Sequence, residues 1–247
     1  MQKIAVVTGA ASGIGKRIAQ GLLEEGCIVF GLDIQYPVSV EEKLEVSYNE
    51  INKLHCDVSI ESDVTNTIDT VINMCGAIDY LINVAGIISK NKCMTIEDLT
   101  MEEWDQVIKV NLTGTFMLCH YALLHLRKNG CIINFSTEQV QKPNVKSAPY
   151  AVSKAGIEML TRILALDHTK RGVRANTVAL GSVRTDFIRH MVESDAAFEQ
   201  KMVNADKNMP FGIIEVQDVW LLVKYIIFDG KKLTGQTILL ESGMTQL

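Results

Sequence analysis

Tyr150 and Lys154 stand four residues apart in Pro149-Tyr150-Ala151-Val152-Ser153-Lys154, a spacing that puts both side chains on one face of a helix. Ser147 is placed to cap that helix, and Pro149 fits its first turn. A free phenol titrates near 10 and is a poor base at neutral pH. An ammonium about 4 Å away, at an effective dielectric of about 20, favours the phenolate by roughly 4 kcal/mol. That predicts a tyrosine able to exchange a proton with an alcohol oxygen. An amphipathic surface helix can carry the same pair, so its meaning depends on what else the chain brings to it.

A second constellation lies at the other end of the chain. The apolar run Lys3 to Val7 leads into Thr8-Gly9-Ala10-Ala11-Ser12-Gly13-Ile14-Gly15, and a helix follows. Gly9, Gly13 and Gly15 permit a tight turn and close backbone approach. The amides around Ser12 and Ile14, at the positive end of the helix, suit a pyrophosphate. The spacing G-x-x-x-G-x-G departs from the G-x-G-x-x-G dinucleotide fingerprint. Asp33 ends the next apolar run, 18 residues past Gly15, where a carboxylate accepts hydrogen bonds from an adenosine ribose and repels a 2′-phosphate. The expected cofactor is therefore NAD, with NADP disfavoured.

These residues need a scaffold, and the chain supplies one. Strand-length apolar runs at Lys3 to Val7, Ile28 to Leu32, Lys53 to Cys56, Tyr80 to Asn83, Cys131 to Phe135, Arg174 to Val178 and Gln236 to Leu240 alternate with helical stretches near 14–25, 60–75, 101–128, 149–170 and 215–228. That alternation predicts an α/β fold: a Rossmann-like, doubly wound, parallel seven-stranded sheet with helices on both faces. Thr100-Met101-Glu102-Glu103 has capping-box form, as has Ser39-Val40-Glu41-Glu42. No repeat or linker divides the chain, so residues 1–247 are expected to form one domain. The stretch 185–210, with Phe187, Met191, Phe198, Met202 and Met209 among charges, reads as a substrate lid whose Phe and Met residues shape the pocket, or as a peripheral helical pair packed on the core.

The composition agrees with an enzyme of this class. With 247 residues, 47% of them apolar, the chain can fill one large core. A net charge of −5 argues against a nucleic-acid partner. The six cysteines, at 27, 56, 75, 93, 119 and 131, form no C-x-x-C pair, so they read as reduced structural thiols and no metal site is expected. Neither a signal peptide nor a membrane span is apparent. A cytoplasmic protein is expected.

Taken in order, Thr8 to Gly15, Asp57-Val58, Asn83-Val84-Ala85-Gly86, Asn111, Thr137, Tyr150 to Lys154, Val183 with Thr185, and Thr234-Gly235-Gln236 resemble the short-chain dehydrogenase/reductase family, in its short single-domain branch, over essentially the whole chain. The resemblance implies that Asp57 and Val58 contact the adenine and that Asn83, Ala85 and Gly86 line the cofactor. It also implies that Val183 and Thr185 hold the nicotinamide carboxamide and that Lys154 binds the nicotinamide ribose as well. Asn111, Thr137, Tyr150 and Lys154 become the catalytic set, with Thr137 positioning the reacting oxygen and Asn111 holding a relay water. The chain departs from the family in carrying Thr137 for the usual serine, Val84 for a second asparagine, and Leu180-Gly181 for Pro-Gly. Ser136 would replace Thr137 only if a bulge reversed the strand's alternation.

The reaction so implied is hydride transfer between NAD(H) and a secondary alcohol or ketone. A weaker resemblance, to 2,3-dihydro-2,3-dihydroxybenzoate dehydrogenases, points to a cyclic diol or hydroxy acid. An anionic substrate would also suit Lys90, Lys92, Lys142, Lys146, Arg184 and Arg189. Sugar or polyol, hydroxysteroid and 3-oxoacyl substrates are the alternatives, and a non-enzymatic NAD-binding redox sensor is the other class. Family resemblance implies a homotetramer or homodimer built on the stretches 101–128 and 149–170, which include Trp104, Phe116, Leu118, Leu123, Leu124, Met159 and Leu160.

Overall fold

The structure, a computed structural model, describes residues 2–38, 45–89, 95–145, 147–185 and 195–246. Seven strands, β1 (Ile4–Thr8), β2 (Ile28–Asp33), β3 (Asn52–His55), β4 (Ile78–Asn83), β5 (Leu126–Thr137), β6 (Arg174–Leu180) and β7 (Thr237–Leu240), form one sheet. Its order is β3-β2-β1-β4-β5-β6-β7, and every pairing is parallel. β1, β2, β4 and β6 are buried at every position, as expected when helices cover both faces.

The alternation of side chains across the pleat sorts the apolar residues into two cores. Val7, Val29, Ile82, Ile133 and Val178 face one side, with Ile18, Leu22 and Trp220 from its helices. Val6, Phe30, Leu81, Ile132 and Ala175 face the other, with Val64, Ile68, Leu118 and Leu164. A polar stitch passes between elements: Asn83 donates to Asn134 Oδ1 at 2.8 Å, and Asn134 donates to Thr161 Oγ1 at 2.9 Å. The winding reverses between β1 and β4, which opens a crevice beyond the strands' carboxyl ends.

The helices are α1 (Gly13–Glu24), α2 (Glu61–Cys75), α3 (Met101–Ile108), α4 (Gly114–Leu123), α5 (Ala148–Asp167), α6 (Asp195–Asn208) and α7 (Val216–Lys224). Thr100 caps α3 by accepting from the Glu103 amide. A π-helical turn, Lys109–Thr113, joins α3 to α4. The helix expected to reach 128 stops at Leu123, because Leu126 already pairs with Ile78 at the start of β5. There Asn129 takes a φ of 65°, and a Cβ on Gly130 would lie 3.0 Å from the Asp79 carbonyl oxygen. Ser147 does occupy the position before α5, but its hydroxyl donates to the Asn144 carbonyl instead of capping.

The Ser39–Glu42 capping pattern and residues 186–194 of the expected lid, with Phe187 and Met191, lie outside the described residues. Met202 and Met209, expected to shape a pocket, pack into the core instead. Cys27, Cys56, Cys75, Cys119 and Cys131 are unpaired. Among the described residues no helix is long and apolar enough to cross a membrane, and no cluster suits a metal ion.

Candidate active site

The crevice begins at the turn after β1. Gly9 has a φ of 65° and Gly13 one of 50°, both in the left-handed region. A Cβ on Gly15 would stand 2.2 Å from the Gly9 carbonyl oxygen, so the turn closes only with glycine there. Ser12 precedes α1 without a side-chain cap, and no acidic residue occupies the first turn. The leading amides of α1 are thus left for an anion. Asp33, at the end of β2, accepts from the Ala11 amide at 3.0 Å and the Gln35 amide at 2.9 Å, which fixes its carboxylate beside the turn. Arg17, a cation that could have met a 2′-phosphate, turns away to Gln217 and Glu24 and lies over the Trp220 ring.

The other residues expected to line the cofactor follow the same strand ends. Asp57 and Val58 come after β3; Asp57 Oδ1 accepts from the Ser59 amide at 2.9 Å, and Val58 packs on Gly114. Thr8 Oγ1 accepts from the amides of Val84 and Ala85, both at 3.0 Å, tying the Asn83–Gly86 segment to β1. A Cβ on Gly86 would lie 3.2 Å from Asn111 Oδ1 and 3.4 Å from Lys154 Nζ, so this glycine lets the backbone run close beneath the catalytic candidates. Val183 is held by a bridge to Ile214, and Thr185 reaches within 3.4 Å of where a Cβ on Gly13 would stand.

Thr137, Tyr150, Lys154 and Asn111 converge where β4 and β5 meet α5 and the π-turn. β5 pairs in unbroken register with β6 through Thr137, so no bulge reverses the alternation. Ser136 accordingly turns to Glu158 on α5, donating to it at 2.8 Å, and the Thr137 hydroxyl turns to Glu138 instead. Asn111 is fully buried. Its amide spans the Ile87 main chain, accepting at 2.8 Å and donating at 2.9 Å, and also donates to Ser153 Oγ at 3.1 Å. Its carbonyl accepts from Thr115 Oγ1 at 2.7 Å. A π-turn is the kind of insertion that aims a side chain and loosens backbone groups at functional sites.

The charge logic differs from the sequence expectation. The Lys154 ammonium does lie 5.7 Å from the Tyr150 ring centroid, but it donates to the Phe135 carbonyl at 3.0 Å. Burial pushes its pKa down from 10.5 to about 8. Burial, followed by the Glu138 charge, pushes the Tyr150 phenol up instead of down, and a hydrogen bond with Thr137 offsets part of this. Desolvation, which disfavours any charged form, outweighs the pairwise attraction.

Glu138 went unremarked as a site residue in the sequence, yet it is 6% exposed and Thr137 Oγ1 donates to its Oε2 at 2.8 Å. Its adjacency to Thr137 was the only available signal. Alongside α5 runs a cleft of about 380 Å³, lined mainly by apolar groups including Ile96, Val140, Pro143, Ala151 and Val152, and by Gln139. The Oε1 of Gln139 is buried without a hydrogen-bond partner. Of the bases expected to ring the site, Lys142 donates to the Met244 carbonyl at 3.2 Å and Arg184 pairs with Glu215 at 2.9 Å. Lys90, Lys92, Lys146 and Arg189 lie outside the described residues.

Known proteins resemble this chain in sequence and fold. A family model described as enoyl-(acyl carrier protein) reductase matches residues 9–245. Glucose 1-dehydrogenase 2 of Bacillus subtilis is 31% identical over 252 residues, covering 98% of this chain and 95% of the relative. The 3-oxoacyl-[acyl-carrier-protein] reductase FabG of Staphylococcus aureus is 34% identical over 254 residues, covering 99% and 98%. Ligand-free aldohexose dehydrogenase of Thermoplasma acidophilum superposes with a TM-score of 0.89 at 27% identity, covering 100% of this chain and 95% of that one.

Proposed function

The chain belongs to the short-chain dehydrogenase/reductase family of oxidoreductases, and we propose that it is an NAD(H)-dependent dehydrogenase acting on a secondary alcohol of a cyclic diol or sugar-like polyol. The observation that carries the reading is the meeting of Thr137, Tyr150, Lys154 and Asn111 beside the glycine turn. The residues fit a nicotinamide dinucleotide: the open amides of α1 suit its pyrophosphate, and the fixed Asp33 carboxylate suits an unphosphorylated ribose. Bound there, the nicotinamide supplies or accepts the hydride.

In this reading Tyr150 exchanges the proton of the reacting oxygen, and Thr137 donates a hydrogen bond to the same atom. Lys154 orients a ribose hydroxyl and stabilises the phenolate when it forms. Asn111 clamps the Ile87 main chain and Ser153, holding the floor beneath Lys154, and holds the relay water. Gln139 Oε1, on the cleft and without a partner, is an acceptor, which suits a substrate with hydroxyl donors. The two described bases expected to meet an anion are engaged elsewhere. The glucose and aldohexose dehydrogenases among its relatives point the same way.

We also propose a homo-oligomer formed through α4 and α5. Leu118 and Leu123 are absorbed by the monomer core, whereas Phe116, Leu124, Val152, Met159, Ile163 and Leu166 stay exposed along the two helices. Exposed apolar residues of this kind along two helices are what a subunit contact covers.

Incubation with NAD or NADP and a panel of aldohexoses, cyclic diols, polyols and hydroxysteroids, read as reduced-nicotinamide absorbance, tests the function. Turnover with NAD on a cyclic polyol is expected, and Tyr150→Phe should nearly abolish it while leaving NAD binding intact. Tight NAD binding with no turnover across the panel would favour a redox sensor instead.

A further inference from the structure

Thr137 has one hydroxyl proton, and two neighbours compete for it. The Thr137 Oγ1 donates to Glu138 Oε2 at 2.8 Å, and in the reading above the reacting oxygen is the other claimant. It also accepts from the Gln139 amide at 3.4 Å. Both Thr137 and Glu138 are buried, at 4% and 6% exposure, so water cannot stand in for either partner. The carboxyl oxygen turned to Thr137 is an acceptor when Glu138 is ionised and can carry a proton toward Thr137 when it is not.

We propose that Glu138 is a positioning residue whose own proton sets the direction of the Thr137 hydroxyl. As a carboxylate it takes the Thr137 proton, and Thr137 is left able only to accept. As a carboxylic acid it donates to Thr137 Oγ1, which releases the Thr137 proton toward the reacting oxygen. The inference rests on the reading of Thr137 as the residue that holds that oxygen. The exchange moves one proton between Glu138 and solvent and makes or breaks no other covalent bond.

The surroundings favour the acid form. Burial pushes the Glu138 carboxyl up, and the charge of Glu241 adds to this, while its bonds from Thr137 and its own amide act the other way. Glu241, beyond β7, has its oxygens occupied by the Gly243 and Thr245 amides. Tyr150 faces Glu138 from α5. Lys154, on the same helix, is committed to the Phe135 carbonyl, and Lys142 to that of Met244, so neither cation holds the carboxylate charged.

A hydroxyl donor to the reacting oxygen serves the same transition state in oxidation and reduction. Ionisation of Glu138 should therefore depress kcat/KM in both directions, by roughly 10²-fold, the worth of one transition-state donor. Titration of Tyr150 instead acts oppositely on the two directions. The test compares pH profiles of both directions, with NAD and NADH, in wild type and Glu138→Gln. With its Nε2 turned to Thr137 the glutamine donates at every pH and mimics the permanent acid. The shared alkaline fall should vanish in E138Q, and identical profiles would overturn the proposal.

A second measurement needs no turnover. The infrared carbonyl band of a buried carboxylic acid, identified as wild type minus E138Q, should disappear as pH rises and should shift to higher frequency in Thr137→Val, where the acid loses its acceptor. No such band, or no shift in T137V, would sink the Glu138 assignment on its own. Failure of wild type to turn over any substrate would sink the dehydrogenase reading and leave the infrared result to decide Glu138.

Discussion

Burying the Lys154 ammonium has a measurable consequence for folding. Burial takes its pKa from 10.5 to about 8. Between those values the unfolded chain holds a proton that the folded chain has released, so stability rises with pH across that window. Below about 8 the full penalty is present, about 3 kcal/mol from the difference between the two values. Raising the pH from 7 to 9 should recover about 1 kcal/mol of it. The buried thiols act in the opposite sense: those of Cys27, Cys56 and Cys131 are pushed up to about 11, and that of Cys119 to about 12, from 9.0. Above pH 9 they ionise first in the unfolded chain and pull stability down. Lys154→Met isolates the lysine, because it keeps the apolar stem and every thiol. It also strands the Phe135 carbonyl, at a cost of about 1–3 kcal/mol that does not vary with pH. Urea unfolding of the cofactor-free proteins at pH 7, 8 and 9 should show wild type gaining about 1 kcal/mol relative to K154M. Parallel stability curves would refute the buried ammonium, and a falling difference would mean that an anion holds Lys154 charged.

Other perturbations probe the cofactor groove and the subunit contact. Asp33→Asn should raise kcat/KM with NADP relative to NAD by on the order of 10- to 100-fold, because a repulsion of about 4 kcal/mol between unit charges 4 Å apart is removed, less what salt screens; an unchanged ratio would show that the carboxylate does not meet the ribose. Gly15→Ala drives a Cβ to 2.2 Å from the Gly9 carbonyl oxygen, and should lower stability by about 1–3 kcal/mol and weaken NAD binding, seen by thermal unfolding and nucleotide fluorescence. Phe116→Glu combined with Met159→Glu alters two side chains that are 49% and 53% exposed. Sedimentation should find the double variant smaller than wild type while the monomer's unfolding stays cooperative.

Much of this architecture is legible in the residues because strands buried on both faces must be apolar throughout. Runs such as Ile4 to Val7 and Ile28 to Leu32 therefore stand out against the 3.6-residue period of their neighbours. The end of the helix before β5 is not legible in the same way. Leu123, Leu124 and Leu126 continue a helical pattern, and only the pairing of Leu126 with Ile78 decides for strand. The spacing of Thr137 and Tyr150 marks the candidate site, but the role proposed for Glu138 depends on the burial of its carboxylate, which no local pattern reports. Ser136 and Thr137 are separated only by the unbroken register of β5 on β6, a long-range fact.

The reversal at Tyr150 follows from the same distinction. Sequence spacing measures how close two charges come, and at about 4 Å that predicts a lowered phenol. It says nothing of what surrounds the pair, and here the surroundings prevail. Burial moves all three ionisable groups toward their uncharged forms: Tyr150 and Glu138 upward, Lys154 downward. A standing phenolate–ammonium pair is thus not part of the folded site. In the proposed reading the phenolate is drawn out by a positive charge brought within a few ångströms, which at an effective dielectric of about 20 is worth roughly 4 kcal/mol. On that reading Tyr150 exchanges its proton only when the site is loaded.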